Sequence, residues 1–249
     1  MAYPTLLYGT DNQAYEIYSA TGVFGNSRYP LGTQLMLQDG RKYRFSMAGA
    51  STLVPGNAIT SVVPIATDVN MTAVATAAGA RLVNFTHGAA TVVANYFAEG
   101  YVVVSVTPGG GDPYKILDHL ALTSSGADLV NLAPGNSVRT DLTTTSRVDL
   151  INHPNSRVIQ SPATTVAAVP VGVAISAPTT LKYCFLQTRG VCGVLTSGTA
   201  IAGNVVGTGL GTAGAVGPIA ALATQPIFGT VVRAAATGAW STIFLTIDG

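Results

Sequence analysis

The chain has 249 residues, enough for one or two domains with a sizeable core. Only 9% are Asp, Glu, Lys or Arg, against roughly 25% in ordinary soluble proteins, while 48% are apolar and the mean hydropathy is +0.42. That balance excludes a highly charged free monomer, and a net charge of +1 argues against nucleic-acid binding as the main role.

Residues 1–30 differ from everything after them. Tyr3, Tyr8, Tyr15, Tyr18, Phe24 and Tyr29 stand among Gly, Asn, Ser, Thr and Pro with no helical or strand period. Disordered tails are poor in aromatics, so this segment reads as an extended arm. Its aromatics Tyr3, Tyr8, Tyr15, Tyr18 and Phe24 are candidate contact residues, holding the arm to a neighbouring subunit or to its own β body. Ordering a chain costs about 1–2 kcal/mol per residue, so backbone pairing along an exposed sheet edge is expected as well.

From Gly32 the chain reads as short strands and turns. Residues 34–38 and 41–46 flank Asp39-Gly40, which predicts a hairpin with a type I′ turn. Further strands are predicted at 59–63, 81–86, 91–97, 101–107, 114–122, 128–132, 147–151 and 157–161. Pro55-Gly56-Asn57, the run Pro108 to Pro113 and Pro134-Gly135-Asn136 punctuate them. The one place for a helix is 69–78, where Ala is dense. Residues 162–179 are rich in Ala, Val and Pro and read as a linker. A last set of strands follows at 183–188, 191–195, 199–206, 227–233 and 241–247. This spacing predicts an all-β protein, a sandwich or barrel. The division is an arm over 1–30, a β-sandwich or barrel domain over 31–165 and a C-terminal β unit over 166–249.

No stretch suits a membrane helix, which needs about 20 continuous apolar residues. The best candidates are interrupted by Pro170 and Gly172, and by Gly214, Gly217, Pro218 and Pro226. The start, Met1-Ala2-Tyr3-Pro4, lacks the basic and apolar regions of a signal peptide. Burial against partner protein is therefore the better account of the low charge.

Catalytic patterns are not apparent. Asp118 and His119 are neighbours in a predicted strand and point to opposite faces, while His87 and His153 lie at turns. Gly109-Gly110-Gly111-Asp112 leads into a predicted strand, unlike a phosphate loop, and Asp112 alone cannot make a calcium site. The densest basic cluster, Arg41-Lys42-Tyr43-Arg44-Phe45, puts Lys42 and Arg44 on one strand face and the aromatics on the other. Cys184 and Cys192 flank a predicted hairpin turn at 187–190 and are expected as buried free thiols rather than zinc ligands. Trp240, the sole tryptophan, reads as a core residue. The expectation is a protein that is not an enzyme and needs no cofactor or metal.

The block from Leu31-Gly32-Thr33 through Leu37-Gln38-Asp39-Gly40-Arg41-Lys42-Tyr43-Arg44-Phe45 to Leu53-Val54-Pro55-Gly56 resembles virion proteins of marine tailed phages. So do Asn95-Tyr96-Phe97-Ala98-Glu99-Gly100-Tyr101 with Tyr114-Lys115-Ile116, and Gln225-Pro226-Ile227-Phe228-Gly229-Thr230-Val231 with Phe244-Leu245-Thr246-Ile247-Asp248. The resemblance covers residues 31–248 and leaves out the arm. It implies a decoration or cement protein on the capsid exterior, with the major capsid protein as partner. It also implies a homo-oligomer, commonly a trimer, without a cofactor, and it supplies no catalytic residues. The rival reading is a head or tail fibre protein that binds host-surface glycans.

Overall fold

The computed structural model describes residues 6–19, 29–164, 168–219 and 225–248. Seventeen strands and one short helix run through them. The first part holds β1 (Leu6–Tyr8), α1 (Asp11–Tyr15), β2 (Gln34–Met36), β3 (Lys42–Met47) and β4 (Ala58–Thr60). Then come β5 (Met71–Thr72), β6 (Leu82–Thr86), β7 (Tyr101–Val106), β8 (Pro113–Asp118), β9 (Ala127–Leu132) and β10 (Arg147–Ile151). The last part holds β11 (Ile159–Gln160), β12 (Pro170–Ala174), β13 (Tyr183–Leu195), β14 (Val205–Thr208), β15 (Val216–Pro218), β16 (Ile227–Arg233) and β17 (Trp240–Thr246). The protein is all-β, as its alternating segments require. Among the described residues no helix is long and apolar enough to cross a membrane.

Two compact units divide the described residues: one takes 6–19, 29–63 and 154–248, the other 64–153. The division expected at 30/31 falls inside the first unit, and the one expected at 165/166 falls on residues outside those described. The reason is non-local pairing: β3 bonds along β13, Phe45 opposite Phe185 and Tyr43 opposite Gln187, across a long sequence separation. A linear reading of composition does not register such a return.

The first unit is an eleven-stranded mixed sheet with the path β1-β2-β3-β13-β17-β16-β14-β15, joined by β12, β4 and β11. Strand β13 is its axis. Residues 183–189 pair with β3, residues 186 and 187 also with β12, and residues 189–195 with β17. Cys184 to Thr188 are all buried, whereas from Gly190 onward buried and exposed positions alternate. The turn expected at 187–190 is therefore absent. Gly190 takes φ +88° beside a register shift at Gln187/Arg189, and the strand bends without reversing. Residues 162–179 are likewise no mere linker, since they hold β12, whose Val171, Val173 and Ala174 are core residues.

The β2–β3 hairpin forms where it is expected, with a different turn. A type I′ turn needs positive φ at both central residues, but only Gly40 has it, at +85°. Gly40 N–H donates to Leu37 O and Leu37 N–H to Arg41 O, which makes a three-residue loop closed by a left-handed glycine. As expected from their alternation, Tyr43 and Phe45 are buried while Lys42 and Arg44 are partly exposed.

The second unit is a near-closed antiparallel barrel with strand order β5-β10-β7-β8-β9-β6; a bridge from Ala73 to Phe85 links its two ends. Inward residues of every strand build one core, with Phe85, Val102, Val104, Tyr114, Ile116, Val130, Val148 and Leu150 at its centre. Residues 69–78 form no helix: they contribute β5 and isolated bridges at Ala73 and Thr76. Thr and Val in that run prefer extended backbone. The predicted strand at 91–97 is reduced to a bridge between Val92 and Leu122 followed by turns.

Candidate interaction surfaces

The arm lies partly on its own body. β1 adds in parallel to β2, Leu7 opposite Leu35, at the end of the sheet path, and Gly9 N–H donates to Met36 O. α1 buries Ala14, and Asp11 pairs with Arg41 at 2.7 Å. Tyr18 exchanges two 2.8 Å backbone hydrogen bonds with Tyr183, and its ring meets those of Phe45, Tyr29 and Phe185 at 5.5, 6.1 and 6.2 Å. Of the described candidate contact aromatics Tyr8, Tyr15 and Tyr18, Tyr18 is the one the fold absorbs. Tyr8 is 78% and Tyr15 53% exposed. Tyr3 and Phe24 lie outside the described residues.

His87 and His119 are interior groups. His87 Nε2 stands 3.1 Å from Asp68 Oδ1, both side chains wholly inaccessible, and His87 Nδ1 is 3.1 Å from Thr123 O. The pair is separated by nineteen positions with no motif to announce it. His119 lies just past the end of β8, not inside the strand. Its Nε2 accepts from Phe97 N–H at 3.0 Å and its Nδ1 donates to Leu120 O at 2.6 Å. Those partners require the neutral ring, and burial pushes its pKa down. Asp118 faces elsewhere, accepting from Asn131 Nδ2 at 2.6 Å. His153 stacks on Tyr101 with ring centres 6.4 Å apart. Cys184 and Cys192 are both free and buried, and burial raises each thiol to about 12. Among the described residues no group of three or more His, Cys, Asp or Glu is placed to hold a metal.

Two surfaces break the usual alternation. On the barrel, Leu117 of β8 and Leu129 of β9 occupy outward positions where a polar residue is usual. His119 turns inward to take the Phe97 N–H, which throws Leu120 outward to 83% exposure. These leucines line a groove of about 770 Å³ with Ala94, Asn95 and Asn131. Asp118 and Asp128 also line it, and no Lys or Arg does.

On the sheet, β17 reads Trp-Ser-Thr-Ile-Phe-Leu-Thr with its polarity reversed at one end. Ser241 is buried, bonded by Thr196 Oγ1 at 2.7 Å and by Ala235 N–H at 3.1 Å, while Trp240 points out and is 55% exposed. The core role expected for Trp240 is thus overturned. Its indole rests against Gly56, where a Cβ would collide with it. Two clefts, of about 430 and 550 Å³, share Arg41 and Val191; Trp240 and Gly193 line the first and Phe244 the second. Arg41 is fixed by Asp39 Oδ2 at 2.6 Å, Asp11 Oδ1 at 2.7 Å and Tyr43 OH at 3.0 Å. Burial works against its charge, but these partners hold it protonated. A strict inside/outside count along β8, β9 and β17 would have flagged both surfaces.

Comparison with protein-family models, curated proteins and solved structures finds no match for the chain. The all-β architecture and these two surfaces define it.

Proposed function

We propose that the protein is a structural component of a tailed-phage virion, decorating the capsid and stabilising it through contacts with the major capsid protein and with copies of itself. The observation that carries this reading is the leucine groove of the barrel. Three outward leucines on a rigid wall cost solvation in a free monomer and gain it back when a partner covers them. A chain with 9% charged residues has few means to keep such a surface soluble on its own. Its acidic rim suits a partner segment that combines apolar side chains with Lys or Arg. The test is binding of the purified protein to shells that lack it, with light scattering coupled to size exclusion for self-association. A strict monomer that ignores those shells would remove the reading.

A second reading, a fibre protein that binds host glycans, draws on one observation: the sole tryptophan is presented to solvent beside a cleft.

A further inference from the structure

Glycine in the interior of a strand has a reason only when something must come close to the backbone or when φ is positive. Within the sheet the two cases separate cleanly. At Gly229 a Cβ would run into the carbonyl of Phe244, so the protein's own packing demands glycine there. At Gly193 φ lies outside the left-handed range, and a Cβ would meet no protein atom within 4 Å. The fold itself does not require glycine at 193.

Gly193 sits opposite Thr242 in the β13–β17 ladder, with Val191 opposite Phe244 and Leu195 opposite Trp240. The missing side chain leaves a notch on β13 beside Thr242, the residue that stands between outward Trp240 and Phe244 on β17. Their backbone positions are four residues apart on one strand, or about 13 Å at roughly 3.3 Å per residue, a length a short oligosaccharide can cover. At the rim, Arg41 spends three of its five N–H groups on Asp39, Asp11 and Tyr43, which leaves two donors held in a fixed plane. Arg189 lines the Phe244 cleft, while both nearby carboxylates, Asp39 and Asp11, pair with Arg41.

We infer that these two neighbouring clefts, one lined by Gly193 and Trp240, the other by Phe244, with Arg41 shared between them, together bind a neutral oligosaccharide. A sugar ring offers an apolar C–H face to stack on an aromatic ring and hydroxyls to accept from the guanidinium. With two carboxylates already on its guanidinium, Arg41 gives no advantage to an acidic sugar. The inference rests on the glycan-binding reading and is independent of the capsid one.

Trp240 is the only tryptophan, so intrinsic emission reports on the site directly. The full chain is titrated with neutral gluco-, galacto- and manno-oligosaccharides, and with oligogalacturonate as the acidic comparator. At least one neutral series gives a saturable emission shift. Gly193→Leu fills the notch and abolishes it, and Phe244→Ala weakens it about tenfold. Trp240→Ala, followed by calorimetry, loses binding too; circular dichroism verifies that each variant is folded. If no neutral oligosaccharide shifts the wild-type emission, the site and the glycan reading fall together. A wild type that responds while Gly193→Leu and Phe244→Ala respond with equal affinity keeps the reading and removes the site. Preference for oligogalacturonate overturns the neutral assignment. Shell binding measured on the same variants stays at the wild-type level.

Discussion

Replacing Tyr18 by Ala tests how the arm is held. The Tyr18 ring makes three edge-type contacts, with Phe45, Tyr29 and Phe185, and is 8% exposed. Edge-to-face pairs contribute about 0.5–1.5 kcal/mol each beyond burial, and truncating a buried aromatic to Ala costs about 3–5 kcal/mol in total. The loss at Tyr18 is set at about 3 kcal/mol, the low end, because the ring is not fully enclosed. Tyr8→Ala removes a ring that is 78% exposed and shifts stability by no more than about 0.5 kcal/mol. Urea unfolding followed by circular dichroism gives both numbers as shifts in midpoint at constant slope. Equal effects at Tyr18 and Tyr8, or a Tyr18→Ala loss under about 0.5 kcal/mol, would show that the aromatic cluster does not anchor the arm.

Three further outcomes follow from the interior groups and the barrel groove. The lowered pKa of His119 means that the unfolded chain takes up its proton first as pH falls. Its contribution is complete above the unfolded value near 6.5 and is lost as pH drops through the folded value, with a slope of at most about 1.4 kcal/mol per pH unit. His119→Gln flattens that slope in urea titrations between pH 7 and pH 5. Leu120→Lys leaves stability within about 0.5 kcal/mol and lowers shell binding at least about tenfold, measured by co-sedimentation. Loss of the folded state instead would place Leu120 in the core. Cys184 and Cys192 do not react with an aromatic disulfide reagent until denaturant is added, because both thiols are buried and protonated; fast labelling of the folded chain would contradict this.

Local alternation was enough to read most strands. Residues 147–151 and 227–233 coincide with β10 and β16, and the β2–β3 hairpin is present. What could not be read is information that local pattern does not contain. Gly190 looks like a turn residue, yet β13 continues past it, because β3 pairs up to Arg189 and β17 takes over from Arg189 onward. The buried His87–Asp68 pair unites two segments whose approach only the folded barrel creates. By the general habit of large apolar residues Trp240 belongs in the core. Its neighbour Ser241 takes the inward position instead, because Thr196 and the Ala235 N–H supply partners there.

The interruption of the sheet unit by the barrel sets the order in which a ribosome can complete the protein. Every strand pair of the barrel lies between residues 71 and 151, so it can close while the rest is still being made. Strand β3 has no such freedom: its partner begins at Tyr183. At about 5–20 residues per second, the finished β2–β3 hairpin waits roughly ten seconds for that partner. During this interval Tyr43 and Phe45 are uncovered and the β3 edge is open. Yield during synthesis at elevated temperature is therefore governed by the early hairpin, and slower translation lengthens the dangerous interval instead of easing it.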